Sequence, residues 1–303
     1  MMPPLRIGTR GSPLALAQAR AVATALRDAH GWGPERIEIV AITTTGDQIR
    51  DRPLAEIGGK GLWTKELDRA LLEDRTDISV HSMKDVETFR PDELVIAAML
   101  PRESVTDRLI GAASLAALPE GARVGTSSPR RSAQVLARRP DLQIVTFRGN
   151  VETRLRKIET GEADATLLAS AGLRRLGHDD VGVVLHDFLP APAQGAVGIE
   201  TRTSDRRVRA WMDAIDHRET HIAVDAERRL LAGLGGTCRS AIAALARIEG
   251  PEVWLRAEIL SSDGYEVQTC DSRFLIGDEA APFELARQML GRASPSLRAL
   301  FEG

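Results

Sequence analysis

The segment LRIGTRGSPLALAQARAVATALRDAH, residues 5–30, contains the pattern that decides the fold. Leu5–Thr9 has the length and apolar character of a strand, and Ser12–Ala29 has the amphipathic repeat of a helix. The first two residues of that helix, a serine and a proline, are suited to the N-cap and the first turn. The segment therefore predicts a strand whose carboxyl end leads directly into a helix N-terminus.

The same pattern returns in Val124–Pro129, again with a glycine turn, a serine and a proline. The first N–H groups of such helices point outward and bind anions, and ligands of open α/β sheets lie at the carboxyl ends of strands. A Ser-Pro pair can also be simple capping, which is the better interpretation of one copy alone. Two copies, one in each of two predicted domains, favour a cleft that binds negative groups from both sides.

Strand-length apolar stretches alternate with helix-length amphipathic ones along the first two thirds of the chain, which predicts an α/β fold. Proline-containing breaks near 101–106 and 189–195 predict hinges around a second α/β domain inserted into the first. The last third has a helix over roughly 219–233, three β-rich runs separated by turns and a closing helix over Pro282–Arg292, which predicts a small α+β domain with a mainly antiparallel sheet. The predicted domains are 1–100 with 196–216, 101–195, and 217–303.

Composition excludes several classes of protein. The chain has 303 residues and a formal net charge of -3, with no basic domain of the kind that nucleic-acid binders carry. Its apolar runs are too short to span a bilayer, and its first residues lack the apolar core of a secretory signal. Its two cysteines form no disulfide framework. We therefore expect a cytoplasmic protein that binds neither nucleic acid nor membrane.

Two arginines begin the helix that follows Pro129. Arg130 and Arg131 fall in its first turn, where the helix dipole disfavours each cation by roughly 0.3–1 kcal/mol. Either one alone would be read as a solvated or ion-paired surface group. Together they predict a bound anion, and because guanidinium groups bind carboxylates through two hydrogen bonds, a ligand with several carboxylates fits best. Other arginines lie near two more helix starts: Arg10 beside the first Ser-Pro pair, and Arg148 and Arg154 on either side of the helix start that follows Gly149-Asn150.

Three further segments are candidates for chemistry. Asp85 ends the run HSMKD after an apolar strand, where it is either a catalytic acid or a local cap or ion-pair partner. Lys60 lies in a glycine-rich loop that fails the phosphate-loop pattern and is either a lid or a plain connection. Cys238 follows two glycines and a threonine at a helix exit, where it is either a reactive thiol or a packed apolar residue. Cys270, in a β-rich run, is predicted to be structural.

Metal chemistry has little support in the sequence. His217 and His221 are four residues apart on a predicted helix, but no third ligand and no HExxH pattern accompany them. Nucleotide-binding and serine-hydrolase motifs are also missing. The sequence predicts no metal site.

Eight segments occur in a fixed order along the chain. They are RGSPLALAQA at 10–19, GGKGLW at 58–63, HSMKDV at 81–86, GTSSPRRSAQ at 125–134, RGNVETRL at 148–155, LASAGLRRLG at 168–177, PAQGAVGIE at 192–200 and GGTC at 235–238. In this order they resemble the porphobilinogen deaminase family, also called hydroxymethylbilane synthases. The resemblance implies two domains like those of periplasmic binding proteins, with a cleft between them, and a third domain that carries the cysteine.

The resemblance also implies a transferase that condenses four porphobilinogen molecules into the linear tetrapyrrole hydroxymethylbilane. Its cofactor would be a dipyrromethane bound to Cys238 by a thioether, and its state a monomer. Asp85 would be the catalytic carboxylate. The cofactor-binding residues would be Lys84, Ser128, Arg130, Arg131 and Arg154. The residues for substrate and growing chain would be Arg10, Ser12, Arg148, Arg175 and, from the loop over the cleft, Lys60.

The sequence departs from the familiar family pattern at Trp63, Glu87 and Ala241-Ile242, none of which has a charge-bearing role in the expected site. A rival interpretation is a solute-binding protein that uses the same clamshell to bind an anion without catalysis. It requires an export signal and no functional cysteine. A ligand-sensing regulator is a second rival, but no DNA-binding segment accompanies the predicted clamshell.

Overall fold

The structure is a computed structural model that describes residues 3–44, 64–236 and 240–301. The described residues form two compact units. Unit 1 contains 3–44, 64–103 and 195–221, and unit 2 contains 104–194, 222–236 and 240–301. Because unit 2 joins the second and third predicted domains, the division into three domains stays a prediction.

The secondary structure follows the predicted alternation. In the described residues the strands are β1 Leu5–Arg10, β2 Ile37–Ile42, β3 Ile78–Ser82, β4 Leu94–Met99, β5 Asp107–Ile110, β6 Arg123–Gly125, β7 Gln143–Val145, β8 Ala165–Ala169, β9 Val183–Leu185, β10 Val197–Arg202, β11 Ile242–Glu249, β12 Glu252–Leu260 and β13 Val267–Leu275. The helices are α1 Pro13–His30, α2 Lys65–Leu72, α3 Pro129–Arg138, α4 Val151–Glu159, α5 Ser170–Arg175, α6 Arg206–Asp213, α7 Arg218–Gly233, α8 Ala281–Arg292 and α9 Pro295–Arg298.

Unit 1 is built on a five-stranded sheet in the order β2-β1-β3-β10-β4. The first three strands are parallel, and β10 runs antiparallel to both β3 and β4. Strand β10 follows the 104–194 part of unit 2 in the chain, so unit 1 is completed only after the chain returns. In the register, Gly198 lies opposite His81 and Glu200 opposite Ser79.

Unit 2 contains a sheet of the same design and a second, antiparallel sheet. The first has the order β7-β6-β8-β5-β9, with β7, β6 and β8 parallel and β5 antiparallel to both of its neighbours. The second is the antiparallel sheet β11-β12-β13. These sheets confirm the predicted fold class, α/β with a smaller α+β part at the end of the chain. The short strands β5 and β9 were not predicted.

The repeated Ser-Pro pattern occupies equivalent places in the two α/β sheets. Strand β1 leads into α1 and β6 into α3, and each strand holds the second position in its sheet. The Oγ of Ser12 accepts a hydrogen bond from the Ala15 N–H, and the Oγ of Ser128 accepts one from the Arg131 N–H. Gly31, in the left-handed conformation at φ 64°, ends α1. Both predicted helix starts are confirmed.

The core of unit 1 lies between α1 and the sheet. Ala19, Val22 and Leu26 recur on one face of α1 and are buried together with Ile7 and Ile78 of the sheet. Burial of each large apolar side chain contributes about 1.5–3 kcal/mol, so this face fixes the helix whose N-terminus lies at the sheet edge. In the described ranges no helix is both long and apolar enough to cross a membrane.

Candidate active site

A small pocket of about 60 Å³ lies in unit 1, where β1 and β3 end. Its lining brings together three residues that the sequence assigned to the site, Arg10, Ser12 and Asp85, and adds Thr64 and His81. Arg10 is the last residue of β1, and Ser12 is the N-cap of α1. The pocket therefore lies at the strand ends predicted to bind a ligand, with a helix N-terminus in its wall.

Asp85 stands at the end of a short 3₁₀ turn, Met83–Asp85, that follows β3. The turn is anchored by Met83, which is buried and lies so close to Gly198 that a Cβ there would collide with its sulfur. Asp85 itself is exposed, and Lys84 is half-buried. In the described part of the chain, the Asp85 carboxylate makes no hydrogen bond or ion pair. The alternative that Asp85 is a local cap or ion-pair partner therefore has no support there.

Arg130 and Arg131 lie in unit 2, in the first turn of α3, and are only 3% and 5% exposed. Both bind the carboxylate of Asp107, the first residue of β5. Arg130 Nη1 lies 2.7 Å from Oδ2, and Arg131 Nη2 lies 2.6 Å from Oδ1. Burial alone would raise the pKa of Asp107, but the two guanidinium groups outweigh it and hold that pKa well below its usual range.

This arrangement corrects one step of the sequence argument. The sequence predicts an external anion for the two cations at the start of α3, whereas the protein supplies an internal one, Asp107. Sequence reasoning missed it because β5 is four residues long and follows an irregular polar stretch. The only available signal was the pair of arginines itself, which marked a place where a carboxylate was needed.

Asp107 does not satisfy all the hydrogen-bond donors of the two arginines. Two guanidinium groups share one carboxylate, and the nearby carboxylate of Glu258 is bound by Gln134 rather than by either arginine. The Nε groups of Arg130 and Arg131 are buried and have no hydrogen-bond partner among the described residues. Since an unpaired buried donor costs about 1–3 kcal/mol, the remaining positive charge and the free donors suit a bound carboxylate.

The other predicted anion-binding residues of unit 2 lie at the starts or ends of helices. Ser128 caps α3, and Arg154 donates from Nε to the Gly149 carbonyl at 3.1 Å. Arg148 precedes Gly149, which has φ 108°, and its Nη1 is buried without a hydrogen-bond partner in the described ranges. Arg175 is the half-buried last residue of α5.

Comparison with known proteins decides the family. The model of the family domain described as "Porphobilinogen deaminase, dipyromethane cofactor binding domain" matches residues 5–210, and that of "Porphobilinogen deaminase, C-terminal domain" matches residues 221–291. The chain belongs to the porphobilinogen deaminase family. This membership supports the predicted transferase over the solute-binding alternative.

Curated relatives support the same family over nearly the whole chain. A porphobilinogen deaminase of Sphingopyxis alaskensis is 53% identical over 306 residues, covering 98% of this chain and 96% of that protein. A porphobilinogen deaminase of Paracoccus denitrificans is 51% identical over 296 residues, covering 96% and 95%. Among solved structures, the periplasmic VFT2 domain of Bordetella pertussis BvgS aligns with a TM-score of 0.40 and 16% identity, covering 70% of this chain and 86% of that domain.

The family's cofactor suits the buried donors that have no partner among the described residues. A dipyrromethane is the cofactor of the family domain that matches this chain. Each of its rings carries carboxylate side chains, which suit the buried Nε groups of Arg130 and Arg131. The residues present in unit 2 therefore fit a porphobilinogen deaminase cofactor.

Two predicted site residues of the porphobilinogen deaminase pattern, Lys60 and Cys238, lie outside the described residues. The chain that leads to Cys238 is described as far as Gly236. Gly235 has φ 67°, and a Cβ on Gly236 would collide with Ile242. The left-handed backbone and the nearby Phe301 carbonyl favour glycine at 235, and a side chain at 236 would require Ile242 to shift.

Cys270 packs against a core in unit 2, and His217 and His221 contact residues close to them in the chain. Cys270 is half-buried against the core of the β11-β12-β13 sheet, and burial raises the pKa of its thiol. His217 Nδ1 lies 2.9 Å from Thr220 Oγ1, and His221 Nδ1 lies 2.9 Å from an Asp216 carboxylate oxygen. Each histidine is thus engaged with a neighbour within five residues, as in ordinary helix-start contacts.

Proposed function

We propose that this chain carries out the reaction of its family, the head-to-tail condensation of four porphobilinogen molecules and one water into hydroxymethylbilane with release of four ammonia molecules. The observation that carries the proposal is the carboxylate of Asp85, which has no partner among the described residues and lies in one pocket with Arg10 and Ser12. A lone carboxylate beside anion-binding groups suits a substrate that is anionic at its edges and becomes cationic at its ring.

Asp85 is the proposed catalytic carboxylate. Loss of ammonia from porphobilinogen leaves a cation whose charge is shared with the ring nitrogen, and the attacking pyrrole is also cationic until it loses a proton. A carboxylate held near these N–H groups stabilises both charges and can move the proton. At about 4 Å and an effective dielectric constant of about 20, the attraction is roughly 4 kcal/mol, which corresponds to about a thousandfold in rate.

Arg10 and Ser12 are proposed to bind the carboxylates of the substrate. Porphobilinogen carries an acetate and a propionate, so each added unit brings two more negative charges. The guanidinium of Arg10 and the N-terminus of α1 line the same pocket as Asp85 and favour these charges. Arg148, Arg175 and Lys60 are proposed to bind further substrate units and the growing chain.

Arg130, Arg131, Arg154, Lys84 and Ser128 are proposed to bind the cofactor. The dipyrromethane, bound through a thioether to Cys238, supplies the pyrrole carbon at which the chain is extended. Arg131 offers a buried Nε donor, and its backbone N–H is already bound by the Ser128 hydroxyl. Asp107 keeps the two arginines ordered before a ligand arrives, which lowers the entropy cost of binding.

We also propose that the enzyme is a cytoplasmic monomer that binds neither nucleic acid nor membrane, as the family resemblance and the net charge of -3 suggest. Size-exclusion chromatography with light scattering tests the monomer directly. A mass near 33 kDa is expected from the 32.9 kDa chain.

The function is tested by the stoichiometry of turnover. The purified protein is incubated with porphobilinogen, and ammonium and hydroxymethylbilane are measured in the same samples. About four ammonium ions per tetrapyrrole are expected, since one is released for each unit of the product. Binding of porphobilinogen without ammonium release would instead support a solute-binding protein.

A further inference from the structure

Glu200 is a buried carboxylate that the proposed reaction does not use. It lies in β10, in the sheet of unit 1, and its side chain is 0% exposed. Placing a carboxylate in such a position costs several kcal/mol unless it is paired and hydrogen-bonded. Its role therefore depends on the side chains that bind it.

Among the residues that the structure describes, two side chains bind this carboxylate. Arg90 donates from Nε to Oε1 and from Nη2 to Oε2, both at 2.8 Å. His81 Nε2 lies 3.2 Å from Oε2. Burial would raise the pKa of Glu200, but His81 and Arg90 outweigh it and lower that pKa to about 2. Because an ionised carboxylate only accepts hydrogen bonds, His81 must carry a proton on Nε2.

The two partners lie at opposite ends of the segment that carries Asp85. His81 is in β3, four residues before Asp85, and Arg90 is five residues after it. The ladder to β10 holds β3 as far as Ser82, and the Met83 N–H still binds the Ala196 carbonyl. After Met83 the chain leaves the sheet. The side chain of Arg90 then binds the carboxylate of Glu200, which His81 also binds. Glu200 thus closes the segment 81–90 into a loop.

Arg90 is held from its outer side as well. Its guanidinium also binds the carboxylates of Asp68 and Glu87 and the hydroxyl of Thr64. Only 10% of the Arg90 side chain is exposed. Burial would lower the pKa of Arg90, but the carboxylates of Glu200 and Asp68 outweigh it and raise that pKa, so the guanidinium stays charged. Arg90 therefore holds its end of the loop through several contacts that are mostly buried.

This cluster forms part of the wall of the Asp85 pocket. His81 and Thr64 line the pocket, and Glu200 and Arg90 lie directly behind them through the hydrogen bonds just described. A change at Glu200 is thus transmitted to the pocket through His81 and through the loop that carries Asp85, without direct contact between Glu200 and the ligand.

We propose that Glu200 is the positioning residue for Asp85: by binding His81 and Arg90 at once, it fixes the two ends of the loop and so the place of the catalytic carboxylate. The inference rests on the proposed function. Preorganised charges are effective because the protein does not have to reorganise as the reaction occurs, and a misplacement of about 1 Å can cost on the order of a hundredfold in rate.

The test is a double-mutant cycle on single-turnover condensation, with Glu200→Gln, Asp85→Asn and the double variant. All forms are loaded with dipyrromethane, and loading is checked by intact mass. Glu200→Gln is expected to lower the rate constant at saturating porphobilinogen at least tenfold, with less than a threefold change in KM. In the Asp85→Asn background, the same change is expected to cost less than twofold, because its effect acts through Asp85.

Arg90→Lys is a second variant in case Glu200→Gln does not fold. It keeps the charge but cannot make the two parallel bonds to Glu200, and the same loss of rate constant is expected. Glu249→Gln is a matched control, since it removes a carboxylate from an exposed pair with Arg273 in unit 2 and should leave the rate unchanged. Additive effects of Glu200→Gln and Asp85→Asn would overturn the positioning role. A native rate in Asp85→Asn alone would instead overturn the proposed function.

Discussion

Arg131 and Asp107 form a buried ion pair, with Nη2 2.6 Å from Oδ1, in which the carboxylate is shared with a second arginine. The pair joins the first turn of α3 to the first residue of β5, 24 positions away. It explains how two cations are kept at a helix end that disfavours them. It also means that Arg131 has a structural role besides any contact with the cofactor.

Arg131→Leu is therefore expected to affect both cofactor and stability. The helix dipole alone predicts a neutral or slightly stabilising change. Because Asp107 loses one of its two cationic partners, we expect the free energy of unfolding to fall by about 1–3 kcal/mol in urea denaturation. Intact mass should show mainly protein without dipyrromethane.

Arg138→Leu is the matched control for this experiment, because Arg138 lies on the same helix and pairs with Asp187 at an exposed site. It should cost less than about 1 kcal/mol and keep full cofactor. Normal cofactor loading and native turnover in Arg131→Leu would contradict the cofactor role of this helix start.

Arg148→Leu is expected to keep the cofactor and slow elongation, in contrast to Arg131→Leu, which is expected to lose the cofactor. Arg148 is assigned to substrate and growing chain, so cofactor loading should stay complete while elongation slows at least tenfold. Mass spectra of enzyme mixed with limiting porphobilinogen should show the early chain lengths accumulating. Loss of the dipyrromethane in this variant would move Arg148 to the cofactor-binding set.

Glu200 should make stability depend on pH in a defined window. Its pKa is lowered to about 2 from an ordinary value of about 4.5, so its contribution is complete above pH 4.5 and is lost as the pH falls toward 2. The difference in unfolding free energy between the native chain and Glu200→Gln should shrink by about 2 kcal/mol between pH 6 and pH 3. Urea denaturation at pH 6, 4 and 3 measures it, and a difference that is independent of pH would contradict the pairing.

Asp85→Asn separates catalysis from structure. Since the carboxylate has no hydrogen bond or ion pair in the described residues, its replacement should change the unfolding free energy by less than about 0.5 kcal/mol. On preassembled holoenzyme, single-turnover condensation should be at least about a hundredfold slower, and Asp85→Glu should retain more activity than the asparagine variant. An Asn variant within tenfold of the native rate would reduce Asp85 to a structural residue.

Local patterns in the sequence were sufficient for the helix starts and the fold class. Ser12 and Ser128 each accept a hydrogen bond from the N–H three residues later, so these caps can be predicted from neighbouring residues in the sequence. The arrangement of Arg10, Ser12 and Asp85 around one pocket also followed from where strands end.

The buried ion pairs could not be predicted from local sequence patterns. Asp107 meets Arg130 and Arg131 across more than 20 positions, and Glu200 meets Arg90 across 110. Such pairs depend on sheet order, in which β10 is inserted between β3 and β4 from far along the chain. A single sequence has no local pattern that records that order, so the sequence predicts ligand contacts for Arg130 and Arg131 and assigns no role to Asp107, Glu200 or Arg90.

The central claim is a covalent dipyrromethane on Cys238, and the most direct measurement is the mass of the denatured protein followed by peptide mapping. We expect an added mass equal to one dipyrromethane, located on the peptide with Cys238 and not on that with Cys270, whose thiol pKa is raised by burial. Cys238→Ser should lose both the adduct and turnover, because a hydroxyl is a far poorer nucleophile than a thiolate. Full turnover without an adduct, or an adduct on Cys270, would contradict the account.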